Sequence, residues 1–261
     1  MVSAHIAVLG SPIEHSKSPA IHAAAYLHLG LNWDYGKYRV EASELRHFLK
    51  LRNASWRGFS LTMPLKEEAF RISKPSCPNA VATGVVNTLL HTEDGWEGFN
   101  TDVFGISQAV SMHSKSTQGS ISILGSGATA TSAVVAARHL NPAAELTIYA
   151  RRKTSVLGLQ TKPLEEFYAD PNSDLTISTL PGSVQHPNFA VREDAQILDV
   201  AYNPWPSKLA SNWSQGGRIS GLEMLLWQAL VQVRIFRTGD GSEQLPNELE
   251  VFEAMRAAVK L

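Results

Sequence analysis

The stretch Ser120-Ile121-Ser122-Ile123-Leu124-Gly125-Ser126-Gly127-Ala128-Thr129-Ala130 joins a short apolar strand to a glycine-rich turn and the start of a helix. Its G-x-G-x-x-A pattern is typical of loops that bind a dinucleotide pyrophosphate, because glycines allow backbone N–H groups to approach the anion at the positive end of the helix. A second predicted strand, Glu145–Tyr149, ends about 20 residues further on, as contact with an adenosine ribose requires. We therefore predict that Gly125, Ser126, Gly127 and Ala128 bind a dinucleotide; a tight turn without a ligand is the alternative.

The residues after that second strand indicate which nicotinamide cofactor is used. NAD sites usually place a carboxylate there, whereas this chain has Ala150-Arg151-Arg152-Lys153-Thr154. Arginine binds a 2′-phosphate through charge-assisted hydrogen bonds. The pattern favours NADP, with Arg151, Arg152 and Lys153 as its ligands; a solvated run of charge is the alternative.

Outward from this segment, predicted strands and helices alternate, which indicates an α/β protein. The predicted strands are Ala4–Leu9, Tyr35–Val40, Gly58–Thr62, Val85–Leu90, Trp96–Gly98, Ser120–Leu124, Glu145–Tyr149, Asp174–Thr179 and Gln196–Val200. The predicted helices are Ala20–Gly30 with Ser18 as N-cap, Ser43 to about Leu51, one after Pro64, Ala128–Leu140, Gly221 to about Arg237, and about Pro246 to Val259. The polar segment Met112–Gly119 predicts a loop, and we place a domain boundary just before it, near Asp102–Gly105.

Composition limits the possible partners. The 261 residues include 23 Lys+Arg and 24 Asp+Glu, so the formal charge is −1, which leaves no global basic field for nucleic acid or an anionic membrane. Polar residues interrupt the most apolar helix, so no membrane span is expected. One cysteine, Cys77, and a start without a signal-peptide pattern favour the reducing cytoplasm. The histidines lack the spacing of a metal site, and none is expected.

Four segments in the first half lie at strand ends, where open α/β sheets build ligand crevices. They are Gly10-Ser11-Pro12-Ile13-Glu14-His15-Ser16-Lys17-Ser18-Pro19, Thr62-Met63-Pro64-Leu65-Lys66, Val86-Asn87-Thr88 and Gly98-Phe99-Asn100-Thr101-Asp102. Together they offer hydroxyls, an amine, an amide and a carboxylate, which suits a polyhydroxylated acid. Each could also be a simple turn or helix cap, Ser18 in particular.

These segments, in this order, resemble the shikimate dehydrogenase family through nearly the whole chain. Asp199-Val200-Ala201-Tyr202-Asn203-Pro204 and Gly221-Leu222-Glu223-Met224-Leu225-Leu226-Trp227-Gln228-Ala229 resemble two further segments of the family. Departures occur at Ala23, at Ser60-Leu61 and at Ala150, none of which replaces a catalytic group.

The resemblance implies reversible NADPH-dependent reduction of 3-dehydroshikimate to shikimate, a step of the chorismate and aromatic amino-acid pathway. Lys66 would supply the proton, and Asp102 would hold its ammonium and accept from a ring hydroxyl; an ordinary ion pair is the alternative. Ser16 and Ser18 would bind the substrate carboxylate. Further substrate contacts would come from Thr62, Asn87, Tyr202 and Gln228, and a further cofactor contact from Gly221.

The same resemblance implies two domains with the reaction in a cleft between them. A substrate-binding α/β domain would span residues 1–103 and be completed by a C-terminal helix at about 238–261. A Rossmann-like NADP-binding domain would span residues 104–237. The expected partner is the small-molecule substrate, and the expected assembly is a monomer or a homodimer.

Two other functions stay open on the sequence alone. An NAD-dependent quinate/shikimate dehydrogenase would prefer an acid near position 150 and often a threonine in place of Ser18. A catalytically silent nucleotide-binding regulator on the same fold should have lost Lys66 or Asp102, and both are present.

Overall fold

The computed structural model describes residues 2–113 and 119–260, which form two sheets in two units. The first unit comprises residues 1–101 and 228–261, and the second comprises residues 102–227. The predicted boundaries lay at 103/104 and at about 237/238. The structure thus places residues 228–237, which the sequence assigned to the cofactor domain, in the first unit.

The first unit contains a six-stranded sheet in the order β2-β1-β3-β5-β6-β4. Its strands are β1 (Ala4–Gly10), β2 (Trp33–Arg39), β3 (Trp56–Leu61), β4 (Lys74–Pro75), β5 (Thr88–Thr92) and β6 (Gly95–Phe99). Its helices are α1 (Ser18–His28), α2 (Leu45–Lys50), α3 (Lys66–Ile72), α4 (Pro78–Thr83) and α9 (Glu248–Ala258). β1, β2 and β3 run parallel, β5 is antiparallel to β3 and β6, and β4 is parallel to β6.

The second unit contains a seven-stranded sheet in the order β13-β12-β11-β7-β8-β10-β9. Its strands are β7 (Ser120–Leu124), β8 (Glu145–Ala150), β9 (Ser155–Val156), β10 (Leu159–Pro163), β11 (Leu175–Ser178), β12 (Gln196–Asp199) and β13 (Arg218–Ser220). Its helices are α5 (Asp102–His113), α6 (Ala128–Leu140), α7 (Leu164–Ala169) and the start of α8 (Gly221–Thr238). Every pair in this sheet is parallel except β9 with β10, and β11 and β12 are buried along their whole length, as expected of a parallel sheet covered on both faces.

Two local predictions are wrong. Ser18 is not the N-cap of α1, because Lys17 occupies that position and Ser18 begins the helix, with Pro19 in its first turn. Met112 and His113 belong to the last turn of α5 rather than to a loop. Of the remaining residues of the predicted loop, 114–118 lie outside the described residues, and Gly119 directly precedes β7.

Candidate functional site

The predicted substrate residues of the first unit follow from the directions of its strands. Because β5 is antiparallel to β3 and β6, the amino end of β5 lies at the same edge of the sheet as the carboxyl ends of β1, β3 and β6. Residues that follow or precede these strand ends therefore share one edge. They are Ser16, Ser18, Thr62, Lys66, Asn87 and Thr101.

The loops after β1 and β3 touch at a glycine. A Cβ on Gly10 would lie 2.3 Å from Cγ2 of Thr62 and 2.9 Å from the carbonyl oxygen of Met63. Two backbone bonds join the same loops: Thr62 N–H donates to Leu9 at 2.9 Å and Ser11 N–H donates to Met63 at 2.9 Å. Gly10 is thus required because any side chain would push these two loops apart.

Lys66 is the first residue of α3, and only 8% of its surface is exposed. Its carbonyl oxygen accepts from Val86 N–H at 3.0 Å, and Asn87 N–H donates to Phe99 at 3.0 Å. The first bond fixes the start of α3 to the segment that carries Asn87, and the second fixes Asn87 to the end of β6. A buried amine at the same sheet edge as buried amide and hydroxyl side chains is a suitable proton donor for a polar ligand.

The two candidate carboxylate ligands occupy the start of α1. The Ser16 hydroxyl accepts from Ser18 N–H at 3.3 Å, so Ser16 rather than Ser18 bonds to the helix start. Ser18 is buried near Tyr35, whose hydroxyl donates to Ser60 Oγ at 2.6 Å. Burial raises the pKa of Tyr35, so this phenol stays protonated at neutral pH.

Asn87, Thr101 and Gln228 form a buried polar cluster. The Asn87 amide nitrogen donates to Thr101 Oγ1 at 2.9 Å and to Gln228 Oε1 at 3.3 Å, while Asn87 Oδ1 accepts from Thr101 N–H at 2.9 Å. The structure therefore brings together two of the predicted hydroxyl ligands, Asn87 and Gln228, within one unit.

The residues that support this cluster were not predicted from the sequence. Gln232, Ser60 and His22 are buried and connected, because Gln232 Oε1 accepts from Ser60 Oγ at 2.8 Å and lies 3.2 Å from His22 Nε2. Burial lowers the pKa of His22 to about 3, against a smaller opposing effect of its bond to Gln232. The available signal was the spacing of Gln228 and Gln232, since glutamines four residues apart share one face of a helix that is mostly apolar.

The glycine loop of the second unit has the conformation a phosphate site needs. Gly125 has φ of 114°, and a Cβ there would lie 2.3 Å from the Thr179 hydroxyl. A Cβ on Gly127 would meet no protein atom within 4 Å, so packing does not explain this glycine. Gly127 is also the N-cap of the 13-residue α6 and makes no side-chain cap bond. The loop fits a pyrophosphate, since it leaves space beside bare backbone at a helix N-terminus.

The candidate 2′-phosphate ligands follow β8, the neighbour of β7 in the sheet. Arg151, Arg152 and Lys153 are all exposed, and within the described residues their side chains make no hydrogen bond or ion pair. β7 and β8 are parallel, so these three cations lie at the same sheet edge as the glycine loop. This donor set fits the dianion that distinguishes NADP from NAD.

Two more predicted residues are Tyr202, which follows β12, and Gly221, which begins α8. Asp199 Oδ1 accepts from Ala201 N–H at 3.2 Å, and its other oxygen accepts from the Ser207 hydroxyl, which steadies the segment that carries half-buried Tyr202. Burial raises the pKa of Asp199, and these bonds oppose that shift. A Cβ on Gly221 would lie 2.3 Å from the Val200 carbonyl oxygen, so strand packing by itself requires this glycine.

The predicted residues thus divide between the units. Asp102 is the buried first residue of α5, in the second unit together with Tyr202, Gly221 and the glycine loop. The pairing of Lys66 with Asp102 stays a prediction. Cys77 caps α4 through its sulfur, which accepts from Ala80 N–H at 3.4 Å and from Asn100 N–H at 3.3 Å.

Neither a candidate metal cluster nor a candidate membrane span occurs in the described part of the chain. Residues 2–113 and 119–260 contain no group of three or more His, Cys, Asp or Glu side chains that could hold a metal ion. Within the same residues, no helix combines the length and apolar character that crossing a membrane requires.

Comparisons with known proteins agree with one another. The family model described as the shikimate dehydrogenase substrate binding domain matches residues 8–89. A shikimate dehydrogenase (NADP(+)) of Thermus thermophilus is 32% identical over 264 residues, covering 97% of this chain and 98% of the relative. The crystal structure of Mycobacterium tuberculosis shikimate dehydrogenase is 33% identical, with a TM-score of 0.78 and coverage of 98% of this chain and 99% of the other. A shikimate 5-dehydrogenase from Thermus thermophilus, solved in complex with NADP(H) and shikimate, is 30% identical, with a TM-score of 0.78 and the same coverage.

Proposed function

This chain belongs to the shikimate dehydrogenase family, and we propose that it catalyses the reversible, NADPH-dependent reduction of 3-dehydroshikimate to shikimate in the chorismate pathway. The observation that carries the proposal is the edge of the first sheet, which buried Lys66 shares with residues that have hydroxyl and amide side chains. A polyhydroxylated ketone needs this combination: a proton donor for its oxygen and hydrogen-bonding groups for its ring.

Lys66 is the proposed proton donor. When bound, NADPH would supply a hydride to the ketone carbon, and negative charge would then develop on the ketone oxygen. The Lys66 ammonium stabilises that charge and gives up a proton, which leaves an alcohol and a neutral amine. In the reverse direction the neutral amine takes the hydroxyl proton.

The remaining substrate contacts hold the ring in place. The hydroxyls of Ser16 and Ser18 donate to the substrate carboxylate, and Asp102 accepts from a ring hydroxyl. Amide and hydroxyl contacts come from Thr62, Asn87, Tyr202 and Gln228. Such contacts accelerate the reaction by orienting the ketone, because a fixed geometry removes much of the entropic barrier.

The glycine loop and the cations after β8 are the proposed NADP site. Gly125, Ser126, Gly127 and Ala128 would bind the pyrophosphate through backbone N–H groups at the start of α6. The 2′-phosphate would be held by Arg151, Arg152 and Lys153, and the Gly221 backbone would contact the cofactor. We also propose that the protein is cytoplasmic and that it is a monomer or a homodimer.

One assay tests the proposal. Absorbance at the nicotinamide band is followed with shikimate or quinate against NADP or NAD, four combinations in all. We expect the shikimate and NADP combination to be the fastest. Absence of turnover with shikimate and either cofactor would contradict the proposed activity, and preference for NAD would contradict the proposed cofactor site.

A further inference from the structure

Gln232 has no role in the proposed reaction, although it lies at the centre of the hydrogen bonds around the substrate ligands. It follows Gln228 by one turn of α8, and 1% of its surface is exposed. A polar side chain buried to this extent destabilises the protein unless its groups are all paired. The hydrogen-bond partners of Gln232 determine how it affects the substrate ligands.

The orientation of the Gln232 amide is decided by a backbone carbonyl. Its Nε2 lies 3.3 Å from the carbonyl oxygen of Asn87 and 2.9 Å from Thr88 Oγ1. A carbonyl oxygen only accepts, so the amide nitrogen must face Asn87. Gln232 Oε1 then accepts from the Ser60 hydroxyl and from His22 Nε2, which carries the proton.

That orientation determines which way the Thr88 hydroxyl points. Since Thr88 Oγ1 accepts from Gln232, its own proton goes to Asn87 Oδ1 at 2.8 Å. Asn87 Oδ1 also accepts from Thr101 N–H at 2.9 Å. Both bonds hold the Asn87 oxygen toward Thr88 and Thr101. The Asn87 nitrogen therefore faces Gln228 Oε1.

The result is a donor and an acceptor side by side. Asn87 Nδ2 donates to Gln228 Oε1 at 3.3 Å and to Thr101 Oγ1 at 2.9 Å, so a ligand hydroxyl would enter here by replacing the bond between the two amides. A hydroxyl group can accept from Asn87 Nδ2 and donate to Gln228 Oε1 at once, whereas a carbonyl or a methyl group cannot do both. A flipped Asn87 would present two oxygens and lose this complementarity.

We propose that Gln232 is a positioning residue which, through Thr88, locks the Asn87 amide so that Asn87 and Gln228 together recognise a hydroxyl group of the substrate. This inference rests on the proposed function, in which Asn87 and Gln228 contact ring hydroxyls. It assigns substrate specificity to two residues that do not themselves touch the substrate.

The test replaces Gln232 and Thr88, one at a time, by an apolar residue of similar shape. The variants are Gln232→Met and Thr88→Val. We expect each variant to raise the KM for shikimate about three- to twelvefold, as for one lost hydrogen bond, with a smaller change in kcat. The double variant should show little more than the larger single effect, because both changes break the same connection. Preference for shikimate over analogues that lack one ring hydroxyl should fall in parallel.

The matched control is Val233→Ala, the next residue on α8, which is fully buried and makes none of these bonds. It should lower the Tm without changing the KM for shikimate or the preference against deoxy analogues. An unchanged KM in both folded variants, or an equal rise in the control, would overturn the proposal.

A second measurement separates this inference from the proposed function. The side-chain NH₂ resonances of Asn87 are recorded by NMR in the wild type and in Gln232→Met and Thr88→Val. We expect both variants to shift or broaden them, whereas Val233→Ala should not. A wild type that neither turns over nor binds shikimate would refute the proposed function, while unchanged Asn87 resonances in both variants would refute the lock.

Discussion

Arg234 on α8 and Glu248 on α9 form a two-pronged ion pair with side chains only 10% and 17% exposed. Arg234 Nε donates to Glu248 Oε2 at 2.7 Å, and the second nitrogen donates to the other carboxylate oxygen. Leu245 N–H also donates to Oε2 at 2.9 Å. The pair therefore links α9 to α8 within the first unit.

We expect Glu248→Gln to destabilise the first unit by about 3 kcal/mol, because the buried Arg234 charge loses the carboxylate that neutralises it. The measurement is urea unfolding at neutral pH. Glu250→Gln is the control, since Glu250 lies on the same helix, is 67% exposed and pairs only loosely with His28 at 3.4 Å. A control as destabilised as the variant would contradict this prediction.

The same pair predicts acid sensitivity. Burial raises the pKa of Glu248, but the hydrogen bonds from Arg234 and Leu245 and the Arg234 charge outweigh it, so the pKa lies below the usual 4.5. Its contribution to stability is therefore complete above about pH 4.5 and is lost as the pH falls through the lowered pKa. Glu248→Gln should show a shallower decline in stability over that range.

His22 predicts a second pH effect, at higher pH. It is enclosed by Tyr26, Tyr35 and Gln232, and burial lowers its pKa from 6.5 to about 3. Above pH 6.5 neither the folded nor the unfolded state is protonated, so stability is complete. Between 6.5 and 3 only the unfolded state binds the proton, and up to about 1.4 kcal/mol is lost per pH unit.

His22→Phe keeps an aromatic ring against Tyr35 and should remove the loss of stability between pH 6.5 and pH 3. Because the hydrogen bonds of His22 are also lost, the variant should be less stable than the wild type at neutral pH. Urea midpoints between pH 7 and pH 5 measure the slope of stability against pH. His47→Gln, at an exposed position on α2, should leave the slope as in the wild type. A slope that persists in His22→Phe would show that His22 does not stay neutral.

Lys66→Ala should lower kcat by roughly two to four powers of ten, since a positioned proton donor is lost. Lys66→Met, which keeps the buried stem, should show a similar loss, and both should bind NADPH normally. Lys74→Ala removes an exposed lysine and should retain activity. Near-wild-type turnover in Lys66→Met would remove Lys66 from the mechanism.

The double variant Arg151→Ala with Arg152→Ala should weaken NADP by a factor on the order of one hundred and leave NAD nearly unchanged. Each charge-assisted bond to the 2′-phosphate contributes about 1.5–3 kcal/mol, less when exposed. Steady-state kinetics with each cofactor decides it, with exposed Lys162→Ala as the control on neighbouring β10. Equal losses for NADP and NAD would mean that these residues do not recognise the phosphate.

Local patterns along the chain were enough to predict most elements. The strand Ser120–Leu124 and the helix Ala128–Leu140 have the predicted bounds, because an apolar run, a glycine turn and an alanine-rich helix are encoded by adjacent residues. Short elements without periodicity, such as α4 and β13, were missed. The helix start at Ser18 was misassigned because the hydroxyl of Ser16 bonds there instead.

The chemistry of the substrate and cofactor segments was also present in the sequence, since Lys66, Asn87 and the glycine loop stand in recognisable motifs. Only the tertiary structure decided what surrounds them. Gln232 is 145 residues from Asn87 along the chain, and Ser60 is 172 residues from Gln232. Hydrogen bonds across such separations depend on strand order and on where α8 packs, so they arise from the folded chain and cannot be found in any local pattern.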